Sequence, residues 1–238
     1  MSTKRWLLAM ASLLVTLVLS QGQAVADAYY LATAGGQFNI PVKSMNAMRF
    51  QSVIHQQYDF SCGSAAVATL LTYSYNDPAD EMKVFKWMWD HGDKPVIEKE
   101  GFSLLDMKNY LDAHGFAANG FRTSLRNLAK VNLPAIALID FNGYMHFVVV
   151  KGVEQDEVLV GDPALGLRLI SRKSFDAMWK KNGILFVITS GPGIKMAKAS
   201  FNSIAEWDKV PRAPLAAAMQ QQPSLGSFLL TLPRAGSF

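Results

Sequence analysis

Cys62 is the only cysteine in a chain of 238 residues, and it stands where a sulfur can do chemistry. The residues from Gly63 through Ser64-Ala65-Ala66-Val67-Ala68 to Leu71 are small or apolar on every side, a pattern that predicts a helix buried all round and starting at the cysteine. The first N–H groups of a helix have no partner within it, and its dipole favours negative charge there. The position therefore suits a thiolate, the form in which cysteine attacks a carbonyl carbon. Taken alone, one cysteine fits better as a small buried hydrophobe, so its neighbours have to decide.

A thiolate nucleophile needs an imidazole, and four histidines are available: His55, His91, His114 and His146. His91 and His114 fall at polar helix ends, where a capping role accounts for them. His55 lies in the approach to Cys62. His146 heads the apolar run Phe147-Val148-Val149-Val150, directly after Asn142-Gly143-Tyr144, which places an imidazole on a rigid strand at the edge of a cleft. A carboxylate must orient that ring, and Asp162 closes the next strand at Val160-Gly161-Asp162-Pro163. Antiparallel pairing of the two strands would bring it to the ring, although Asp-Pro is also an ordinary turn signal. A glutamine amide shortly before the cysteine can stabilise an oxyanion together with the Cys62 N–H, and Gln56 and Gln57 both qualify. The histidines show no ligand spacing with close carboxylates, so no metal or other cofactor is expected.

These groups need elements to hold them. After the helix from Cys62, ended at Asn76-Asp77-Pro78, the sequence predicts a second helix from about Ala79 to Trp89. A third opens at Ser103 with a capping box completed by Asp106, its apolar face supplied by Leu104, Leu105, Met107, Tyr110 and Leu111. A short fourth runs from Ser124 to Lys130. From Pro134 the texture changes to short β-rich runs at residues 135–139, 146–150, 158–160, 167–170 and 184–188, with a helical piece near Ser174 to Trp179. Helices followed by strands predict an α+β domain with an antiparallel sheet.

The ends read differently. Lys4 and Arg5, an apolar run from Trp6 to about Leu19, and Ala24-Val25-Ala26 make a secretory signal peptide over residues 1–26. Residues 27–47 read as an extended arm with a short strand near Phe38 to Val42. The domain is expected over 48–190, and 191–238, rich in Ala, Gln, Pro and Ser, as a partly disordered extension in which Phe201 to Trp207 forms a docking helix. Loss of the signal peptide takes Lys4 and Arg5 from a formal charge of +4, leaving too little positive charge for a nucleic-acid partner. The expected location is the periplasm, with the membrane touched only through the signal peptide.

The run Gln56-Gln57-Tyr58-Asp59-Phe60-Ser61-Cys62-Gly63-Ser64-Ala65-Ala66, with His146-Phe147-Val148-Val149 and Gly161-Asp162-Pro163-Ala164-Leu165-Gly166, resembles the bacteriocin-processing cysteine peptidases that cleave double-glycine leaders. Phe175 and Trp179 look like that family's aromatic pair. The resemblance spans about Met48 to Thr189. It implies a papain-like fold with Cys62 as nucleophile, His146 as base and acid, Asp162 as the group that orients it, and Gln56 as oxyanion donor, leaving Gln57 without a role. The best-known members are transporter domains facing the cytoplasm, whereas an exported chain faces outward. Stand-alone exported members include the peptidase-like component of a functional-amyloid export system. Likeness to it implies a polypeptide substrate such as amyloid subunits, with outer-membrane export machinery as a partner. A peptidase-fold chaperone or binding module that holds such a chain without cutting it is the alternative.

Overall fold

The structure is a computed structural model that describes residues 30–33, 36–39, 43–141, 143–179 and 183–210. The expected signal peptide and most of the expected C-terminal extension lie outside the described residues. Among those described, no helix is long and apolar enough to cross a membrane.

The chain divides into two units, residues 1–44 and 45–238. In the first, β1 (Tyr30–Thr33) and β2 (Gly36–Asn39) form an antiparallel hairpin in which Tyr30 faces Asn39. One strand was expected near Phe38, and its partner was not.

The second unit opens with α1 (Met45–Arg49). Four helices follow: α2 (Cys62–Ser74), α3 (Glu81–His91), α4 (Lys94–Glu100) and α5 (Leu104–Ala113). Nearly every residue of α2 is buried, as its lack of a polar stripe requires. Asn76, with φ of 57°, turns the chain after it. The capping box of α5 is complete: Ser103 Oγ accepts from Asp106 N, and the Asp106 carboxylate accepts from Ser103 N at 2.7 Å. Its expected apolar face holds for Met107, Tyr110 and Leu111, but Leu105 is 63% exposed on the wall of a cleft.

The sheet contains β3 (Ala117–Arg122), β4 (Ala135–Phe141), β5 (Tyr144–Val153), β6 (Glu157–Asp162), β7 (Gly166–Ser171) and β8 (Ile184–Ser190). They are antiparallel throughout, in the order β3-β8-β4-β5-β6-β7. The expected α+β class is therefore what the fold has, with α6 (Leu125–Val131) and α7 (Arg172–Trp179) inserted between strands. Every residue of β5 from His146 to Val153 is buried, so at this strand both faces of the sheet are covered, and Phe147 to Val150 are accordingly continuously apolar rather than alternating. Helix α2 lies against β4, β5 and β6, and α7 against β4, β6 and β7. Phe175 and Trp179 of α7 enter the core, and Trp179 Nε1 donates to Ile184 O at 3.0 Å.

Beyond Ser190 the chain continues into α8 (Ile194–Ser200) and α9 (Ile204–Trp207). Between them Asn202 turns with φ of 54° and binds the bulge of β5: Val153 N donates to its Oδ1 at 2.6 Å, and Asn202 N donates to Lys151 O at 3.1 Å. Lys151, 2% exposed, reaches Glu206 Oε2 at 2.6 Å and donates to Ser52 O at 2.9 Å. A buried cation in the middle of an apolar strand requires such a counter-charge.

Candidate active site

Cys62 is the first residue of α2 and is 6% exposed. Its position depends on Gly63, whose missing Cβ would lie 3.0 Å from Met107 Cε and 3.1 Å from Phe102 Cβ. Glycine there lets α5 and the segment before it close on the start of α2. Behind this turn Ser64 Oγ donates at 2.9 Å to Ser61 O and approaches Glu81 Oε1 at 2.8 Å. Burial pushes the Glu81 carboxyl up.

His146 is the first buried residue of β5, following exposed Tyr144 and Met145. The β5–β6 pairing, with Val149 opposite Gly161, carries Asp162 alongside it, and His146 Nε2 hydrogen-bonds Asp162 Oδ1 at 2.8 Å. The same Oδ1 accepts from Ala164 N at 2.9 Å and Leu165 N at 3.2 Å. The turn signal and the partner signal in Asp-Pro thus belong to one carboxylate, which is fixed by its own turn while it holds the ring. Arg168 Nη1 stands 3.7 Å from Oδ2. His146 Nδ1 is buried without a fully formed hydrogen bond, and the thiol of Cys62 is close enough to act on the ring.

Burial alone would lower the His146 pKa. The hydrogen bond to Asp162, the adjacent Cys62 sulfur and the charge of the carboxylate outweigh it and hold the ring up at about 9. For Asp162, burial acts to raise the pKa, and His146, the Ala164 N–H and Arg168 prevail and bring it below the ordinary carboxylate value. Both directions describe a ring that keeps its proton against a charged carboxylate.

Gln56 is placed differently. Its Nε2 donates to Tyr58 O at 3.0 Å and to Asp59 O at 3.4 Å, within its own loop, and its Oε1 is buried without a partner. Both contacts hold the amide within the loop that leads to Cys62. Gln57 Nε2 turns to His55 O at 3.3 Å. The other histidines are held elsewhere: His55 packs edge-on against Phe50, while His91 and His114 stack on Trp87 and Tyr110 and bind helix carbonyls through Nδ1.

Sequence reasoning missed Tyr144. Its hydroxyl donates to Asp59 O at 2.7 Å, and its ring lies 6.0 Å from that of His146. It thereby ties the strand of the histidine to the loop of the cysteine, and no spacing rule pointed to it. Cys62 opens into a cleft of about 910 Å³ whose walls include Phe60, Val96, Phe102, Leu105, Tyr144 and Phe147. Among the described residues no group of His, Cys, Asp and Glu side chains is arranged to hold a metal.

A thiol at a helix start, facing an imidazole and a carboxylate on adjacent strands of an α+β domain, is the set of groups a cysteine peptidase assembles. The chain belongs to the Peptidase C39 family, whose model matches residues 51–191. It is 38% identical over 175 residues to the "Probable functional amyloid protease FapD" of Pseudomonas aeruginosa, covering 74% of this chain and 76% of that protein. With the protein of the same name from Pseudomonas fluorescens it shares 41% over 158 residues, covering 66% and 69%. Among solved structures, the double glycine motif protease of an AMS/PCAT transporter, in complex with the leader peptide, aligns with a TM-score of 0.47 at 28% identity, over 58% of this chain and 91% of that one.

Proposed function

We propose that this chain is an exported cysteine endopeptidase that processes, or assists the secretion of, a polypeptide, and that functional-amyloid subunits are its substrate. The observation that carries the reading is the 2.8 Å bond from His146 Nε2 to Asp162 Oδ1, which leaves Nδ1 to the thiol. The likeness to the FapD proteins supports the choice of substrate and of compartment.

In this reading His146 is protonated and Cys62 attacks as the thiolate. The oxyanion forms beside the start of α2 and is met by the Cys62 N–H. The Gln56 amide joins by exchanging its longer contact, 3.4 Å to Asp59 O, for the oxyanion. His146 Nδ1–H protonates the leaving amine, and the ring then takes a proton from the water that attacks the thioester. Asp162 keeps the tautomer through both steps.

The test is a comparison of wild type with Cys62→Ala in a strain that secretes the amyloid subunits. The expected result is a processed polypeptide in wild type, an uncut one with the variant, and labelling of Cys62 by a thiol-reactive peptide that His146→Ala suppresses. Unchanged processing and secretion with Cys62→Ala would establish a binding role instead.

A further inference from the structure

Two hollows meet at Tyr144. The long cleft contains Cys62 but neither His146 nor Asp162, whereas a smaller hollow of about 150 Å³ is lined by His146 and Asp162 together with Ile139, Phe141, Leu165 and Arg168. Tyr144 lines both, and its hydroxyl bond to Asp59 O fixes it as the partition. The thiol therefore faces one compartment and the imidazole borders the other.

This division assigns a direction to the substrate. The imidazole protonates the leaving amine, so the polypeptide that departs lies on the imidazole's side, and the acyl part stays with the sulfur. A hollow of about 150 Å³ is too small for a separate ligand, since such pockets run to roughly 300 Å³ and more, and it matches one side chain. Most of its open wall is apolar, and Phe141 and Leu165 remain 49% and 47% exposed at its mouth, an apolar pair that a substrate side chain would cover. Its one carboxylate, Asp162, is already engaged by the His146 ring and lies 3.7 Å from the Arg168 guanidinium, so the hollow has no free anion for a cationic side chain.

We propose that the hollow between Phe141, Leu165 and Tyr144 is the subsite for the residue that follows the scissile bond, and that it selects an apolar side chain and disfavours a basic one. The proposal rests on the peptidase reading and adds to it the sequence preference on the leaving side.

Acyl transfer to added amines isolates this subsite. N-acetylglycylglycine p-nitrophenyl ester acylates Cys62 while His146 gives its proton to the departing p-nitrophenol, which ionises in solution to p-nitrophenolate. An amino-acid amide then attacks the thioester carbonyl, gives its proton to His146, forms the new peptide bond and expels the sulfur. Leucinamide, glycinamide and argininamide compete with water in separate reactions, and the ratio of transfer to hydrolysis is read by chromatography. Leucinamide is expected to partition about tenfold better than glycinamide, the discrimination typical of an apolar pocket, and argininamide no better than glycinamide. In Phe141→Ser/Leu165→Ser the leucinamide advantage falls to about twofold; being a ratio within one protein, it does not depend on the variant's overall activity. Equal transfer to all three amines, or a preference unchanged by the double substitution, overturns the subsite while the peptidase reading stands. Release of p-nitrophenolate at the same rate in Cys62→Ala overturns both.

Discussion

Asp162→Asn separates the two things Asp162 does for His146. Asparagine keeps an oxygen in place of Oδ1 and so retains the ring's orientation, as the Cys-His-Asn arrangement of papain-like proteases shows it can; it removes the charge. Raising the imidazole from 6.5 to about 9 corresponds to about 3 kcal/mol in favour of the protonated ring. Burial is the largest influence on this ring and acts downward, so with only Cys62 left to oppose it the pKa should drop by about 2 pH units or more. The assay is an NMR titration of the His146 ring, assigned by its loss in His146→Ala, beside the pH profile of kcat/KM. Wild type should titrate near 9 and lose activity there on the alkaline side; Asp162→Asn should do both near or below neutrality. Stability follows the same ring. Because the folded pKa lies above the unfolded value, the ring's contribution is complete below pH 6.5 and is lost as pH rises through 9. The fall in urea midpoint across that window should flatten in Asp162→Asn. A His146 titration that stays within about half a pH unit of wild type would show that Asp162 does not hold the proton, and the mechanism would fail.

Other outcomes test separate parts of the structure. Gln56→Ala should lower kcat by about 100-fold or more, the typical loss for one oxyanion donor, with thiol labelling unchanged; an undiminished kcat would leave the amide in its loop role. Gly166 has φ of +81°, and a Cβ there would meet Arg49 O at 2.7 Å, so Gly166→Ala should cost about 2 kcal/mol or more by urea unfolding. Lys151→Met leaves Glu206 buried with only Lys209 as partner and should cost about 3 kcal/mol, most of it regained in Lys151→Met/Glu206→Leu; equal losses in both would show that the pair is not what is being broken.

The parts legible in the sequence were those where local pattern and global fold agree. Cys62 begins a run with no polar stripe, His146 and Asp162 sit at opposite ends of strands that a single turn pairs, and Ser103 with Asp106 announces α5. The rest failed for identifiable reasons. Strand β3, Ala-Ala-Asn-Gly-Phe-Arg, is an edge strand with one buried residue, so it has neither alternation nor strong β-formers, and its pairing with β8 some 60 residues on supplies the order. Helix α4 begins with Pro95 in its first turn behind the Asp93 cap, a start signal present but overlooked between two longer helices. The run at 146–150 was read as stopping short of Lys151, whose counter-charge, Glu206, comes 55 residues later, in a helix of four residues.

The brace on β5 means that the match to the family model and the unit of folding end at different places. The model matches as far as residue 191, while Asn202 and Glu206 fasten the strand that carries the imidazole. A chain cut at the family boundary would contain all of Cys62, His146 and Asp162 and would still leave a lysine charge stranded inside the sheet five residues from the histidine. Trimming or grafting this domain at that boundary would thus remove part of its scaffold, and a portable version has to keep Asn202 and Glu206.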